Sequence, residues 1–136
     1  MQGLSKRTSQ DSGNSSRLLI VDDDAYLRTS LRQQFMAEGF QNIFDVGSVT
    51  ALNVALKDAN PDLILLDIQM PDGNGVEICK GLRSDGFTKP IVILTAKNAE
   101  TDIIEGLEAG ANDYVTKPIR MGELDRKSTR LNSSHW

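Results

Sequence analysis

The chain is poor in the side chains that most hydrolases and metal centres rely on. Its 136 residues contain one cysteine, Cys79, and one histidine, His135. A single cysteine excludes an internal disulfide and a cysteine-rich metal site. Cys79 falls within a helical pattern and reads as a small buried apolar residue. With the only histidine beside the C-terminus, no His general base or Ser-His-Asp triad is available to the body of the chain. No apolar run approaches the length needed to span a bilayer. The opening residues, MQGLSKRTSQDSGNSS, lack the apolar core of a signal peptide, so a cytoplasmic protein is expected. Positive charge is also short. Fifteen basic against nineteen acidic residues leave a net charge of −4, which argues against a nucleic-acid footprint within this segment.

What is present suffices for one domain: 39% hydrophobic and 25% charged residues over a single-domain length. Residues 1–16, rich in Ser, Gln, Asn and Gly, read as a disordered leader. Leu18–Val21 is an apolar run ending in three carboxylates, Asp22, Asp23 and Asp24. Leu27, Leu31 and Phe35 then recur at helical spacing up to a stop at Gly39, with Asp24 as N-cap. Asn42–Gly47 forms a weaker strand, and Ser48 caps a helix carrying Leu52, Ala55 and Leu56. Asn60-Pro61 ends that helix. Leu63–Leu66 runs without a break into Asp67, and Pro71, Asp72, Gly73, Asn74 and Gly75 turn the chain just beyond it. A third helix follows over Gly75–Ser84, with Val76, Cys79 and Leu82 inside. Ile91–Leu94 ends in Thr95 and Ala96. A fourth helix covers about Ala99–Ala109, with Ile103, Ile104 and Leu107 expected inside. Gly106 within it is expected to soften it by ~1 kcal/mol relative to Ala. Asp113–Thr116 is a short strand closed by Lys117-Pro118.

Strand and helix thus alternate five times, which predicts an α/β fold: a doubly wound, five-stranded parallel sheet with helices on both faces. In such sheets the C-terminal strand ends lie along one edge, where ligands and chemistry collect. Four strands end there in a polar group: Asp22 and Asp23, Asp67, Thr95, and Lys117. Each has a bland explanation, such as helix capping for the acids and solvation for the lysine. Their conjunction at successive strand ends does not. Three crowded carboxylates call for a hard divalent cation such as Mg²⁺. A lysine ammonium and a threonine hydroxyl beside one carboxylate suit phosphoryl transfer to that carboxylate.

The segments LLIVDDD, LILLDIQMPDGNG, IVILTA and DYVTKP resemble the motifs of the response-regulator receiver domain of two-component systems, over about Arg17 to Leu124. The resemblance implies a flavodoxin-like fold and a phosphoacceptor signalling domain rather than an enzyme. It implies Asp67 as phosphoacceptor, taking its phosphoryl group from a histidine kinase or phosphotransfer protein. Asp22, Asp23, Asp67 and the main-chain carbonyl of Gln69 would hold Mg²⁺. Lys117 would contact the phosphoryl group, across a cis peptide to Pro118. Thr95 and Tyr114 would form the switch. A dimer through the face of the fourth helix and fifth strand is an option it leaves open. The opening of the fifth helix, KPIRMGEL, resembles receivers joined to winged-helix DNA-binding domains of the OmpR-like class.

Beyond Leu124 the pattern breaks. Residues 125–136, DRKSTRLNSSHW, offer only Leu131 and Trp136 as large apolar groups, so a truncated fifth helix and a non-native or disordered tail are expected. Asp125 to His135 also resembles, codon for codon, the translation of a common sequencing-adapter oligonucleotide. On that reading the native sequence stops near Leu124. Without residues 125–136 the chain has 12 basic and 18 acidic residues and a net charge of −6.

Two other functions fit less well. A Mg²⁺-dependent phosphohydrolase working through an aspartyl phosphate wants a second acid two residues past its nucleophile, and that position is Gln69. A flavodoxin-like electron carrier needs a phosphate-cradling loop after the first strand, where three acids would repel the FMN phosphate.

Overall fold

The structure, a computed structural model, describes residues 14–96 and 98–133. Five strands, β1 (Asn14–Val21), β2 (Phe40–Val46), β3 (Leu63–Asp67), β4 (Ile91–Ala96) and β5 (Asp113–Lys117), form one parallel sheet in the order β2-β1-β3-β4-β5. The helices are α1 (Ala25–Ala37), α2 (Val49–Ala59), α3 (Gly75–Ser84), α4 (Glu100–Glu108) and α5 (Met121–Ser133). This is the flavodoxin-like, doubly wound fold expected from the alternation.

The continuous apolar runs take the three inner positions of the sheet. Leu18–Val21, Leu63–Leu66 and Ile91–Leu94 are all fully buried, because a parallel strand covered on both faces has no solvent side. Alternate side chains divide between two cores. Leu19, Val21, Ile64, Leu66, Ile91 and Ile93 face one cluster with Leu52, Val76, Cys79 and Leu82. Leu18, Ile20, Leu63, Leu65, Val92 and Leu94 face the other with Leu31, Phe35, Val115 and Leu124. The helix starts follow their polar signals. Asp24 accepts from Leu27 N at 3.1 Å and Ser48 from Ala51 N at 3.0 Å.

Three expectations need correction. The leader was expected to extend through Ser16, but β1 begins at Asn14, which pairs with Phe40 of β2, and Ser16 is buried; residues 1–13 lie outside the described residues. The fifth helix does not stop near Leu124 but runs to Ser133. Met121, Leu124 and Leu131 recur at helical spacing on the core side. Lys127 and Arg130 tie the helix to Asp113 at 3.4 and 2.8 Å. The expectation of a disordered tail at 134–136 falls outside the described residues. Finally, Ile104 and Leu107 face outward on α4, 57% and 38% exposed. The residue of α4 that lies against the sheet is Gly106, which is buried. A Cβ there would overlap Ile93 Cδ1 in the core. The glycine therefore permits close helix–sheet approach rather than merely softening the helix.

Two substitutions test these corrections. Helix propensity alone makes Gly106→Ala stabilising, whereas the overlap with Ile93 makes it destabilising by about 1–2 kcal/mol, a net of overpacking and propensity; thermal unfolding gives the sign. Ser128 is fully buried in α5 and its Oγ has no hydrogen-bond partner among the described residues. Ser128→Ala should therefore raise stability by about 1–2 kcal/mol, because it removes an unsatisfied hydroxyl and improves helix propensity. A lower midpoint in urea would contradict the packing of α5.

Candidate functional site

The register of the sheet brings the polar strand ends level. Val21 pairs with Leu66, so the next residues, Asp22 and Asp67, stand side by side. Asp67 pairs with Leu94, one residue before Thr95, and Ala96 pairs with Lys117. One oxygen from each of Asp22, Asp23 and Asp67 lies within 4.8 Å of the others. Asp22 and Asp67 are buried while Asp23 is exposed, so the cluster has an open side. The Lys117 ammonium sits 2.9 Å from Asp22 Oδ2 and 3.5 Å from Asp67 Oδ1. Every site residue expected from the strand ends is therefore brought to one place.

The electrostatics follow from burial. The carboxyl of Asp67 is raised to about 6, first by desolvation and then by the charge of Asp22, with Lys117 opposing both. For Lys117, burial works against the charge, but the neighbouring carboxylates of Asp22 and Asp67 outweigh it, and its pKa is raised. One oxygen of Asp22 accepts from Asp24 N at 2.9 Å. The other, Oδ2, is buried and has the lysine beside it, but no donor at a good hydrogen-bonding angle. A buried carboxylate oxygen with a free lone pair, in an all-oxygen donor set of high negative charge, fits a hard divalent cation. Among the described residues Thr95 Oγ1 is likewise buried without a hydrogen-bond partner.

The loop after β3 is tightly fixed. Gln69 N donates to Asp67 Oδ1 at 3.3 Å, and Gln69–Met70 pairs with Gly73–Asn74 as a two-residue hairpin. Asn74 caps α3 by accepting from Val76 N at 2.7 Å. Two residues here were missed as parts of the site. Asp72 accepts from Val49 N at 2.9 Å and Thr50 N at 3.3 Å, so the loop also caps α2; these main-chain donors hold its carboxyl below the ordinary value. At Gly75 a Cβ would come within 2.7 Å of Asp67 O and Ile68 Cα, so only glycine lets α3 start against the end of β3. The DGNG run signalled a turn, but nothing in it showed which glycine touches the backbone of β3.

Lys117–Pro118 is a cis peptide, as the motif implied. Tyr114 is half-buried on β5, and Lys127 of α5 stacks on its ring at 4.8 Å. Among the described residues no helix is long and apolar enough to cross a membrane.

The comparisons agree with this geometry. Residues 18–128 match the family model of the response regulator receiver domain. The DNA-binding response regulator MtrA of Mycobacterium tuberculosis is 44% identical over 108 residues, covering 79% of this chain and 46% of the relative. The alkaline phosphatase synthesis transcriptional regulatory protein SphR of Synechococcus elongatus is 42% identical over 118 residues, covering 81% and 46%. The chain thus spans about half the length of the curated relatives it matches. Among solved structures, the receiver domain of the Francisella response regulator 1452 superposes with a TM-score of 0.83 at 27% identity, covering 90% of this chain and all of that one. A response regulator structure from Chloroflexus aurantiacus gives a TM-score of 0.80 at 32% identity, covering 88% and 99%. A sheet edge that gathers acids, lysine and threonine, on a fold and a sequence shared with these proteins, places the chain in the response regulator receiver domain family, the phosphoacceptor signalling domains.

Proposed function

We propose that Asp67 is the phosphoacceptor and that Asp22, Asp23, Asp67 and the Gln69 main-chain carbonyl hold Mg²⁺. The observation that carries this reading is the convergence of the Asp22, Asp23 and Asp67 carboxylates beside one ammonium at the open sheet edge. With its pKa near 6, Asp67 is mostly ionised at neutral pH and able to attack as a nucleophile. The donor is a phosphohistidine of a sensor kinase or phosphotransfer protein: the P–N bond breaks as the P–O bond to Asp67 forms, and the histidine leaves as neutral imidazole after taking a proton. Bound Mg²⁺ would neutralise charge on the transferring oxygens. Lys117 supplies a second positive centre to the same oxygens, and Thr95 Oγ1 offers its proton to one of them. A groove of mixed polar and apolar lining lies beside the site between α1 and the start of α5, with Asp24, Leu27, Ser30, Gln34, Pro118 and Ile119 on its walls.

The switch reading rests on the same atoms. Phosphorylation adds ~1.5–2 negative charges at Asp67, and Thr95 moves toward the new acceptor. Tyr114 then repacks with β5 and α4, and that face is read by a partner or a second receiver. Such a bistable element needs a bias of only a few kcal/mol. The relatives are DNA-binding or transcriptional regulators. We therefore assign the output of a whole protein of this kind to transcription, with DNA contacted outside this segment.

Asp67→Asn should abolish labelling by acetyl phosphate or a phosphohistidine donor in the presence of Mg²⁺; undiminished labelling of that variant would sink the assignment. The same variant has a pH signature. A carboxyl whose folded pKa is raised favours the folded state while protonated. That contribution is complete below the unfolded pKa of about 4 and is lost as pH rises through about 6. In metal-free buffer Asp67→Asn should therefore exceed the parent in stability at pH 7.5, by up to ~3 kcal/mol for a two-unit shift, with the gap closing at pH 4. Thr95→Ala should keep phosphorylation while losing the phosphorylation-dependent shift of Tyr114 resonances in NMR spectra; an unaltered shift would refute the switch.

A further inference from the structure

Every polar atom of Asp22 has a defined neighbour, and one of them lies outside the expected motif. Its N–H donates to Val46 O at 3.2 Å, one carboxylate oxygen accepts from Asp24 N at 2.9 Å, and the other faces Lys117 at 2.9 Å. Its main-chain carbonyl accepts from Arg28 Nη1 at 2.7 Å. Arg28 stands one turn into α1, and its Nε donates to Asp45 Oδ2 near the end of β2 at 2.9 Å. The guanidinium also lies against the main chain at Gly47, where a Cβ would come within 2.7 Å of Nη1. One planar, two-pronged group thus ties the end of β1, the end of β2 and the first turns of α1 together. The peptide it holds joins Asp22 to Asp23.

We infer that Arg28 is a positioning residue for the divalent-cation site, acting through the Asp22–Asp23 peptide. This rests on the cation reading of Asp22, Asp23 and Asp67 given above. That peptide sets the direction in which the chain leaves β1, and hence where the exposed Asp23 carboxylate stands relative to the buried pair. Asp22 is held from inside the core, whereas Asp23 has only the backbone to fix it. Losing the carbonyl contact frees the peptide to rotate and moves Asp23 out of register with Asp22 and Asp67. Groups that orient metal ligands in this indirect way typically change affinity by 10–100-fold when removed. Lysine is a poor substitute, because a single ammonium cannot keep both the Asp22 carbonyl and the Asp45 carboxylate in one plane.

The neighbouring Arg32 supplies an internal control. It donates to the other oxygen of Asp45 at 2.8 Å, while the Asp22 carbonyl takes its side-chain hydrogen bond from Arg28. It shares the β2 anchor without the carbonyl contact, so its loss reports what a merely structural ion pair contributes.

The experiment is calorimetric titration of Mg²⁺ into the unphosphorylated chain and its Arg28→Ala, Arg28→Lys, Arg32→Ala and Asp22→Asn variants, with far-UV circular dichroism to establish that each is folded. The parent should bind and Asp22→Asn should lose binding. Arg28→Ala should bind at least tenfold more weakly, Arg28→Lys should fall between it and the parent, and Arg32→Ala should match the parent. Equal affinity of Arg28→Ala and parent overturns this inference alone, as does an equal loss in Arg32→Ala. A parent chain that binds no Mg²⁺ overturns the cation reading and this inference with it.

Discussion

A carboxylate held at the end of a strand buried on both faces is the constraint on which the rest of the structure depends. Burying an ionised group is expensive unless it is paired, and here two are buried side by side, Asp22 and Asp67. Lys117 answers both from β5, at the far edge of the sheet. The order β2-β1-β3-β4-β5 is what makes this feasible: it sets β1 next to β3 and carries β5 round so that its final residue reaches back over the same edge. The balance stays incomplete, as the raised carboxyl of Asp67 shows. A site left short of positive charge is one whose state changes when a cation or a phosphoryl group arrives.

The loop beyond Asp67 converts that local chemistry into a mechanical link. Within four residues it caps α2 through Asp72 and α3 through Asn74, and it lets α3 abut β3 through Gly75. Helix N-termini carry unpaired N–H groups that need acceptors. Supplying two sets from one short hairpin leaves the backbone around Asp67 little freedom. On the opposite side of the acids, Arg28 does similar work on the loop after β1. Both loops that present carboxylates are thus braced by contacts within the chain.

The other side of the site is held more loosely. Among the described residues no side chain caps the N-terminus of α4, which starts at Glu100. Its far end is fastened firmly: Arg83 donates to Gly110 O at 3.0 and 2.8 Å and to Asn112 Oδ1 at 2.9 Å. This helix is thus tethered at its C-terminal end and uncapped at the end nearer the chemistry, with Ile104 and Leu107 outward. Physical asymmetry of this kind suits a domain that reports the state of one aspartate through one face.

The sequence by itself determined the fold class, the inner strands and the chemical nature of the site. Unbroken apolar runs such as Leu63–Leu66 admit little but a strand covered on both faces, and a parallel sheet must align its C-terminal ends. Capping residues were legible for the same local reason, since Asp24 and Ser48 act on donors three residues away. What only the tertiary structure decided depends on contacts between distant residues. The inward face of α4 was misread because outward Ile104 and Leu107 are apolar while inward Gly106 has no side chain to register in a hydrophobic pattern. The helical continuation through 125–133 was not legible because Leu131, Lys127 and Arg130 find partners on the sheet and on Asp113 that composition cannot display. Arg28 was invisible for the same reason. Its significance lies in a backbone carbonyl and in an aspartate seventeen residues on, and backbone acceptors carry no letter in the sequence.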